Sequence, residues 1–261
     1  MESELPGDAA GRCYHLRVGT GEVAPFVLTS GSADRIRRLA GYFDRVELVR
    51  QQREFLTITG SYQGIRITGL ATGIGPDNTA IAVIEAVQYQ PQATFIRIGS
   101  CGSLQPEIQL GDLIISTEAL RYENTTQFYA PAELKAVADP VVTQALTAAA
   151  QERGLVYHCG LTCTTSDFYH GQGRQVPGFS GCDPTLLPRL QAQGVLNLEM
   201  EMAAYFILAQ VSDFPLRAGG LTAVFADRWR GTFITPEELA AAEDRAIQVA
   251  LRAVLRLAER T

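Results

Sequence analysis

Pro25-Phe26-Val27-Leu28-Thr29-Ser30-Gly31-Ser32-Ala33-Asp34-Arg35-Ile36-Arg37-Arg38-Leu39-Ala40-Gly41-Tyr42 sets the pattern for the whole chain. Residues 26–29 form an apolar run too short for a helix, which reads as a strand. Gly31 breaks the run. From 33 to 42, Ile36, Leu39 and Ala40 recur on one face at helical spacing. The unit is strand, glycine, amphipathic helix.

The same alternation continues downstream. Strands are expected at 46–49, 55–59 and 65–70, with Gly60 and Gly64 bracketing a hairpin turn. A helix of small apolar residues follows at 79–89. Residues 94–98 and 113–116 read as strands, 141–153 as a helix, and so does the segment after Pro184. A short strand at 195–198 leads into an apolar helix over 200–210, and 221–225 is the last core strand. In the final helix Thr235 is the N-cap, Pro236 takes N1 and Glu238 completes a capping box, and it runs through Ile247, Leu251, Val254 and Leu255 towards Thr261. Strands alternating with helices, with no linker or repeat, predict one α/β domain over residues 1–261. Residues 1–12 read as a flexible N-terminal segment.

Composition narrows the class. The chain has 261 residues, 46% hydrophobic, with 24 glycines, which suits a buried α/β core. The start carries no basic and apolar leader, and no apolar run reaches the roughly 20 residues that span a bilayer. The expectation is a cytoplasmic protein without a membrane partner. The net charge of −6 argues against a nucleic-acid surface. Five scattered cysteines (Cys13, Cys101, Cys159, Cys163, Cys182) do not form a disulfide framework. His158, Cys159 and Cys163 lack the second pair that would complete a tetrahedral metal site, so no metal is expected. Of 22 basic residues only Lys135 is a lysine, and arginine offers a rigid fork for phosphate oxygens.

Five segments carry chemistry. Gly31 to Arg35 opens a helix where backbone N–H groups face an anion, or it is an ordinary strand-to-helix glycine turn. Arg97-Ile98-Gly99-Ser100-Cys101-Gly102-Ser103 puts an arginine inside an apolar strand, a costly placement without a partner, and ends in a hydroxyl and free amides. It is the strongest anion signal. Arg53-Glu54 precedes a strand and by itself reads as a simple surface ion pair. Glu199-Met200-Glu201 sits at a strand-to-helix junction. Its carboxylates suit vicinal sugar hydroxyls, or complement the helix dipole. Asp167-Phe168-Tyr169-His170-Gly171-Gln172-Gly173-Arg174 sets an amide and a guanidinium two residues apart beside aromatic rings. That combination suits a pyrimidine, with a face to stack on, an N3–H donor and carbonyl acceptors at O2 and O4.

The segments at 97–100, 167–174 and 199–201 occur in the order seen in nucleoside phosphorylases, and the chain from about His15 to Arg228 resembles that family. The Gln-x-Arg element at 172–174 resembles its uridine branch. The resemblance implies a three-layer sandwich with a central mixed, partly barrel-like sheet flanked by helices. It also implies reversible phosphorolysis of uridine in pyrimidine salvage, with purine phosphorolysis, hydrolysis, or nucleoside binding without catalysis as the alternatives.

By that resemblance Gly31, Arg35, Arg97 and Ser100 match the phosphate site, joined by Arg53 from a neighbouring subunit. Glu199, Met200 and Glu201 match the ribose site, with His15 contributed across a dimer interface. Phe168, Gln172, Arg174 and Arg228 match the base site. Arg97, Glu201 and Arg174 carry the catalysis. Purine-specific relatives are expected to place a base-protonating aspartate near Arg228, which draws attention to Asp227. No organic cofactor is implied: phosphate is a co-substrate, and a structural monovalent cation has room in a homo-oligomer built from dimers. Ser32-Ala33 and Ser100 depart from the family's usual Asp-Pro and threonine.

Overall fold

The computed structural model of the protein describes residues 3–259, so the ends of the expected N-terminal segment (1 and 2) and of the final helix (260 and 261) lie outside it. The opening unit forms as β1 (Phe26–Ser30) and α1 (Ala33–Ala40), with Ile36 and Leu39 buried. After it come β2 (Arg45–Gln52), β3 (Phe55–Tyr62), β4 (Ile65–Ala71), α2 (Pro76–Val87), β5 (Thr94–Ser103), β6 (Leu113–Tyr122), β7 (Ala136–Val137) and α3 (Pro140–Glu152). The rest is β8 (Tyr157–Thr165), α4 (Leu186–Ala192), β9 (Asn197–Glu199), α5 (Met202–Val211), β10 (Arg217–Asp227), β11 (Thr232–Phe233) and α6 (Pro236–Ala258).

Among the described residues eleven strands join one mixed sheet, and β5 is its pivot. The first half of β5 pairs in parallel with β1, from Thr94 to Arg97. Its last two residues, Gly102 and Ser103, pair instead with β9. The other edge of β5 runs parallel to β10 over its whole length. From β9 the ladder continues to β8, then β6, then back to β10. Five strands thus close a ring (β5, β9, β8, β6, β10), while β1, β4, β3 and β2 extend from β5 as an arm.

Helices cover both faces because neighbouring strand residues point to opposite sides. In β1 and β5, Leu28 and Ile96 join a core with Ile36 of α1, Leu146 of α3 and Ile247 of α6. Val27 and Phe95, one residue earlier in each strand, join a second core with Val83 of α2 and Tyr205 and Phe206 of α5. Each such side chain contributes about 1.5–3 kcal/mol on burial. Thr235 and Glu238 form the expected reciprocal cap on α6. The expected layered sheet is borne out.

Two readings need correction. Gly60 lies inside β3, opposite Val46, and not at the hairpin turn; the turn is Gln63-Gly64, both at positive φ (48° and 79°). Gly60 is required by contact: a Cβ there would overlap the Arg45 carbonyl and lie 2.6 Å from the Phe43 ring.

The strand β8 was not foreseen. Its inward side chains are polar, because the ring interior holds a hydroxyl and amide ladder that hides the apolar period. Ser116 meets Thr162 at 2.5 Å, Thr162 donates to Asn197 (2.8 Å), and Asn197 donates to Thr222 (3.1 Å). His158, Cys159 and Cys163 fall on this strand and diverge. His158 pairs with Asp112, Cys159 is exposed, and Cys163 is buried in a small core with Leu104 and Leu190.

The two hairpin glycines are therefore expected to respond differently to alanine. Gly60→Ala costs about 2–3 kcal/mol by overpacking. Gly64→Ala, in open space, costs only the ~1 kcal/mol of left-handed backbone. Urea unfolding midpoints of the two variants check the order.

Candidate active site

The site opens where β5 changes partner. Between Arg97 and Gly102 the strand leaves β1 for β9, and the β1–α1 junction and the end of β9 diverge around it. The gap is a cavity of about 450 Å³. That is within the usual range for a small-molecule site.

Arg97 forms its centre. The residue is 4% exposed, and its guanidinium is held by two carboxylates: Nε donates to Glu199 (3.0 Å) and Nη2 pairs with Glu201. Gly99 makes the conformation feasible, since a Cβ there would lie 2.8 Å from the Arg97 guanidinium. Glu199 is wholly engaged. It accepts from Thr164 (2.5 Å), from the N–H of Glu201 (2.8 Å) and from the N–H of Met202 (3.0 and 2.9 Å), so it caps α5 at the positive end of its dipole. Glu201 has more freedom: Oε1 accepts the Gly75 N–H at 2.7 Å and Oε2 faces Arg97. One guanidinium between two carboxylates leaves a net negative charge. Burial therefore holds the Glu201 carboxyl above the usual range; Arg97 opposes the shift and Glu199 adds to it. Burial works against the charge of Arg97, but Glu201 and Glu199 outweigh it and keep it cationic.

Gly31, Ser32, Arg35 and Ser100 line the cavity. Ser32 answers the missing Asp-Pro pair. It takes the N-cap of α1 in an extended conformation, its hydroxyl accepting the Arg35 N–H at 3.3 Å. A Cβ on Gly31 would come 3.0 Å from the Gly73 carbonyl and 3.8 Å from Glu201, so glycine keeps this wall open. Arg35 is 6% exposed and heavily committed. Nε and Nη2 donate to Glu243 of α6 (3.0 and 2.7 Å), and Nη1 donates to Ser30 and to the Ile98 carbonyl (both 3.1 Å). Four of five donors are used, which leaves one N–H on Nη2. Glu243 also takes Arg38 at 2.7 Å. Burial lowers the pKa of Arg35 despite that partner.

Phe168, Gln172 and Arg174 line the cavity as well. The 310 turn His170–Gln172 closes on Gly173 in the left-handed region (φ 65°), and the Arg174 N–H donates back to the Tyr169 carbonyl at 2.8 Å. The Arg174 guanidinium lies 3.8 Å from the Phe168 ring centroid and donates to Gln172 Oε1 at 2.6 Å. Burial first, then Arg228, pushes Arg174 down to about 10, so it stays charged at neutral pH. Arg228 is not a wall of the cavity. It donates from behind to the carbonyls of Gln172 (3.0 Å) and Gly173 (3.4 Å).

The cavity thus gathers ten expected residues: Gly31, Arg35, Arg97, Ser100, Phe168, Gln172, Arg174, Glu199, Met200 and Glu201. His15 and Arg53 lie outside it and meet each other through Tyr14. His15 stacks edge-on with Tyr14 and pairs with Glu85 (2.7 Å), and Arg53 donates to the Tyr14 hydroxyl (3.1 Å). Asp227 is 2% exposed and faces away, bound by Arg230. Sequence reading missed Glu243, Thr164 and Gly75. Thr164 and Gly75 act through ordinary strand and turn positions. Glu243 stands 208 residues from Arg35, and its only signal is an acid beside Ala242 on the buried face of an amphipathic helix.

Among the described residues no helix is long and apolar enough to cross a membrane. Among known proteins, the chain is 41% identical to a uridine phosphorylase of Thermococcus kodakarensis over 99% of its length and 91% of that protein's. It is 33% identical to the uridine phosphorylase of Escherichia coli, covering 94% and 97% of the two chains. A guanosine phosphorylase of Halorubrum lacusprofundi is 32% identical, with 93% and 98% covered. The sequence pattern of the phosphorylase superfamily matches residues 25–259, and the chain belongs to that family.

Proposed function

We propose that this chain catalyses the reversible phosphorolysis of uridine to uracil and ribose 1-phosphate, in cytoplasmic pyrimidine salvage. The observation that carries the reading is that one cavity gathers three chemistries: glycine and arginine at the β1–α1 junction, buried carboxylates beside Arg97, and an aromatic, an amide and a guanidinium from the 168–174 turn.

Phosphate binds against Arg97, Ser100, the Gly31 backbone and the remaining N–H of Arg35. Ribose lies over Met200, with its 2′ and 3′ hydroxyls donating to Glu201. The base stacks beside Phe168 and is read by the Gln172 amide and Arg174. A phosphate oxygen attacks C1′ as the C1′–N1 bond breaks, and the electron pair leaves on uracil, spread over N1, O2 and O4. Arg174 and Gln172 stabilise that charge through the carbonyl oxygens, and solvent returns the proton. Holding the phosphate already oriented removes much of the entropic barrier, and fixed donors around the uracil lower the rest. Arg97 ties the two halves together: the carboxylate that fixes the sugar also fixes the guanidinium that holds the nucleophile.

The phosphate site has a shortfall of charge. Arg97 is shared by two carboxylates, and Arg35 is paired with Glu243. A dianion gains little from cations already neutralised. Arg53 of a second copy supplies the missing charge, and His15 of that copy contacts the ribose. The enzyme is accordingly a homo-oligomer built from dimers whose partners complete each other's sites.

Purine turnover is the second reading, motivated by the guanosine phosphorylase relative. It needs a free acid near the base, and the Asp227 carboxylate is already taken by Arg230 and two backbone N–H groups.

Uridine is expected to turn over only when phosphate is present, with inosine and guanosine far slower. Cleavage without phosphate would make the protein a hydrolase, and tight uridine binding without turnover would make it a binding protein. Arg174→Ala is expected to lower kcat/KM for uridine on the order of 10²-fold, as for loss of one preorganised donor, and an unchanged rate removes it from the mechanism. The shared site is tested by mixing: Arg53→Ala and Arg97→Ala are each inactive alone. Refolded together at equal amounts they regain about a quarter of wild-type activity, because half the dimers are hybrids with one intact site. No recovery places both arginines in one subunit's site.

A further inference from the structure

Among the described residues Asp227 is the most enclosed acid outside the cavity, and its partners form a chain that ends at the base site. Its Oδ1 accepts the N–H groups of Trp229 (3.0 Å) and Arg230 (2.8 Å), which closes the turn that follows β10. Its Oδ2 binds the Arg230 guanidinium (2.6 Å), and Arg230 reaches on to the Pro106 carbonyl (2.8 Å). The turn is thereby clamped to the loop after β5. Between the two clamped residues sits Arg228, whose N–H donates to the Ser103 carbonyl at 3.0 Å. The Arg228 stem lies against Gly102, where a Cβ would come within 3.1 Å of its Cγ. From this seat the guanidinium spans to the carbonyls of Gln172 and Gly173.

We infer that Asp227 is a positioning residue for base recognition: it fixes the turn that aims Arg228 at the backbone of residues 172–173, and so sets where the Gln172 and Arg174 side chains stand. Arg228 acts as a strut behind the base-reading turn. The inference rests on the assignment of that turn to the base, and it gives Asp227 no contact with the base.

The geometry also explains why a carboxylate is needed. Two backbone N–H groups and a guanidinium converge on one side chain, and a buried carboxylate accepts all three where a neutral side chain leaves one unmet. The neighbouring charged groups are Arg228, half-buried and donating to residues 172 and 173, and Arg230 itself.

The test uses amide hydrogen exchange and steady-state kinetics on the full chain. Asp227→Asn is expected to speed exchange across residues 170–174 while exchange in α6 stays as in wild type. It also raises KM for uridine about tenfold and leaves KM for phosphate unchanged, the loss expected for one buried charged hydrogen-bond set. Arg230→Ala, which keeps the Asp227 carboxylate and its two backbone bonds, gives the same pattern more weakly. In an Arg228→Ala background Asp227→Asn has no further effect, because the strut is already gone. Additive effects there, an equal rise in both KM values, or unchanged exchange at 170–174 would overturn the inference. So would a wild-type guanosine activity that Asp227→Asn abolishes, since that makes the acid a group touching the base. If wild type fails to phosphorolyse uridine, the proposed function falls, and the exchange comparison still decides the role of Asp227.

Discussion

Everything in the site depends on one guanidinium held between two buried carboxylates. Arg97 comes from the middle of β5, Glu199 from the end of β9 and Glu201 from the entrance to α5. The trio therefore joins a central strand, a ring strand and a helix start. Gly75, at the start of α2, adds its N–H to Glu201. None of these charges is tolerable alone at such depth, since an unpaired buried ion costs several kcal/mol. The fold must bring all of them together or leave each unmet. That mutual need sets the register of β9 against β5, whose shared pairing is only two residues long.

The same economy recurs elsewhere around the site. Arg35 is held by an acid from α6, and Arg228 is seated by a turn that Asp227 closes. In each case an arginine is oriented by groups that face away from the cavity, and its direction is what remains after those bonds are satisfied. The interior of the five-strand ring follows suit with its hydroxyl and amide ladder, in which each of the four side chains has a hydrogen-bond partner.

Much of this was legible in the sequence. The strand-glycine-helix rhythm around Gly31 announced the α/β class, and Thr235 with Glu238 marked the last helix. An arginine within the apolar run 94–98 pointed to a functional strand, and the cavity gathers that residue with the Gly31, 168–174 and 199–201 segments. What stayed hidden has physical causes. The strand over 157–165 carries threonines inward, where a pattern reader looks for leucines. Gly60 reads as a turn residue, and only the three-dimensional approach of the Arg45 carbonyl shows otherwise. Glu243 and Asp227 each act through a partner's geometry. Closure of the sheet into a ring depends on the pairing of β5 with β10, which lie more than a hundred residues apart.

Ring and arm differ in how they can open. Within β5, β9, β8, β6 and β10 every strand has a neighbour on each side, so nothing in the ring can fray inward from an edge. The arm ends at β2, which has β3 on one side only, and local unfolding begins at such borders. Arg53 sits at the hairpin joining these two strands, with its own φ at +52°. The cavity residues Arg97, Ser100 and Glu199 thus stand on the strands of the ring, which has no free border. The arginine assigned to the neighbouring copy belongs to the part that peels first, so association with that copy would anchor the loosest border of the sheet.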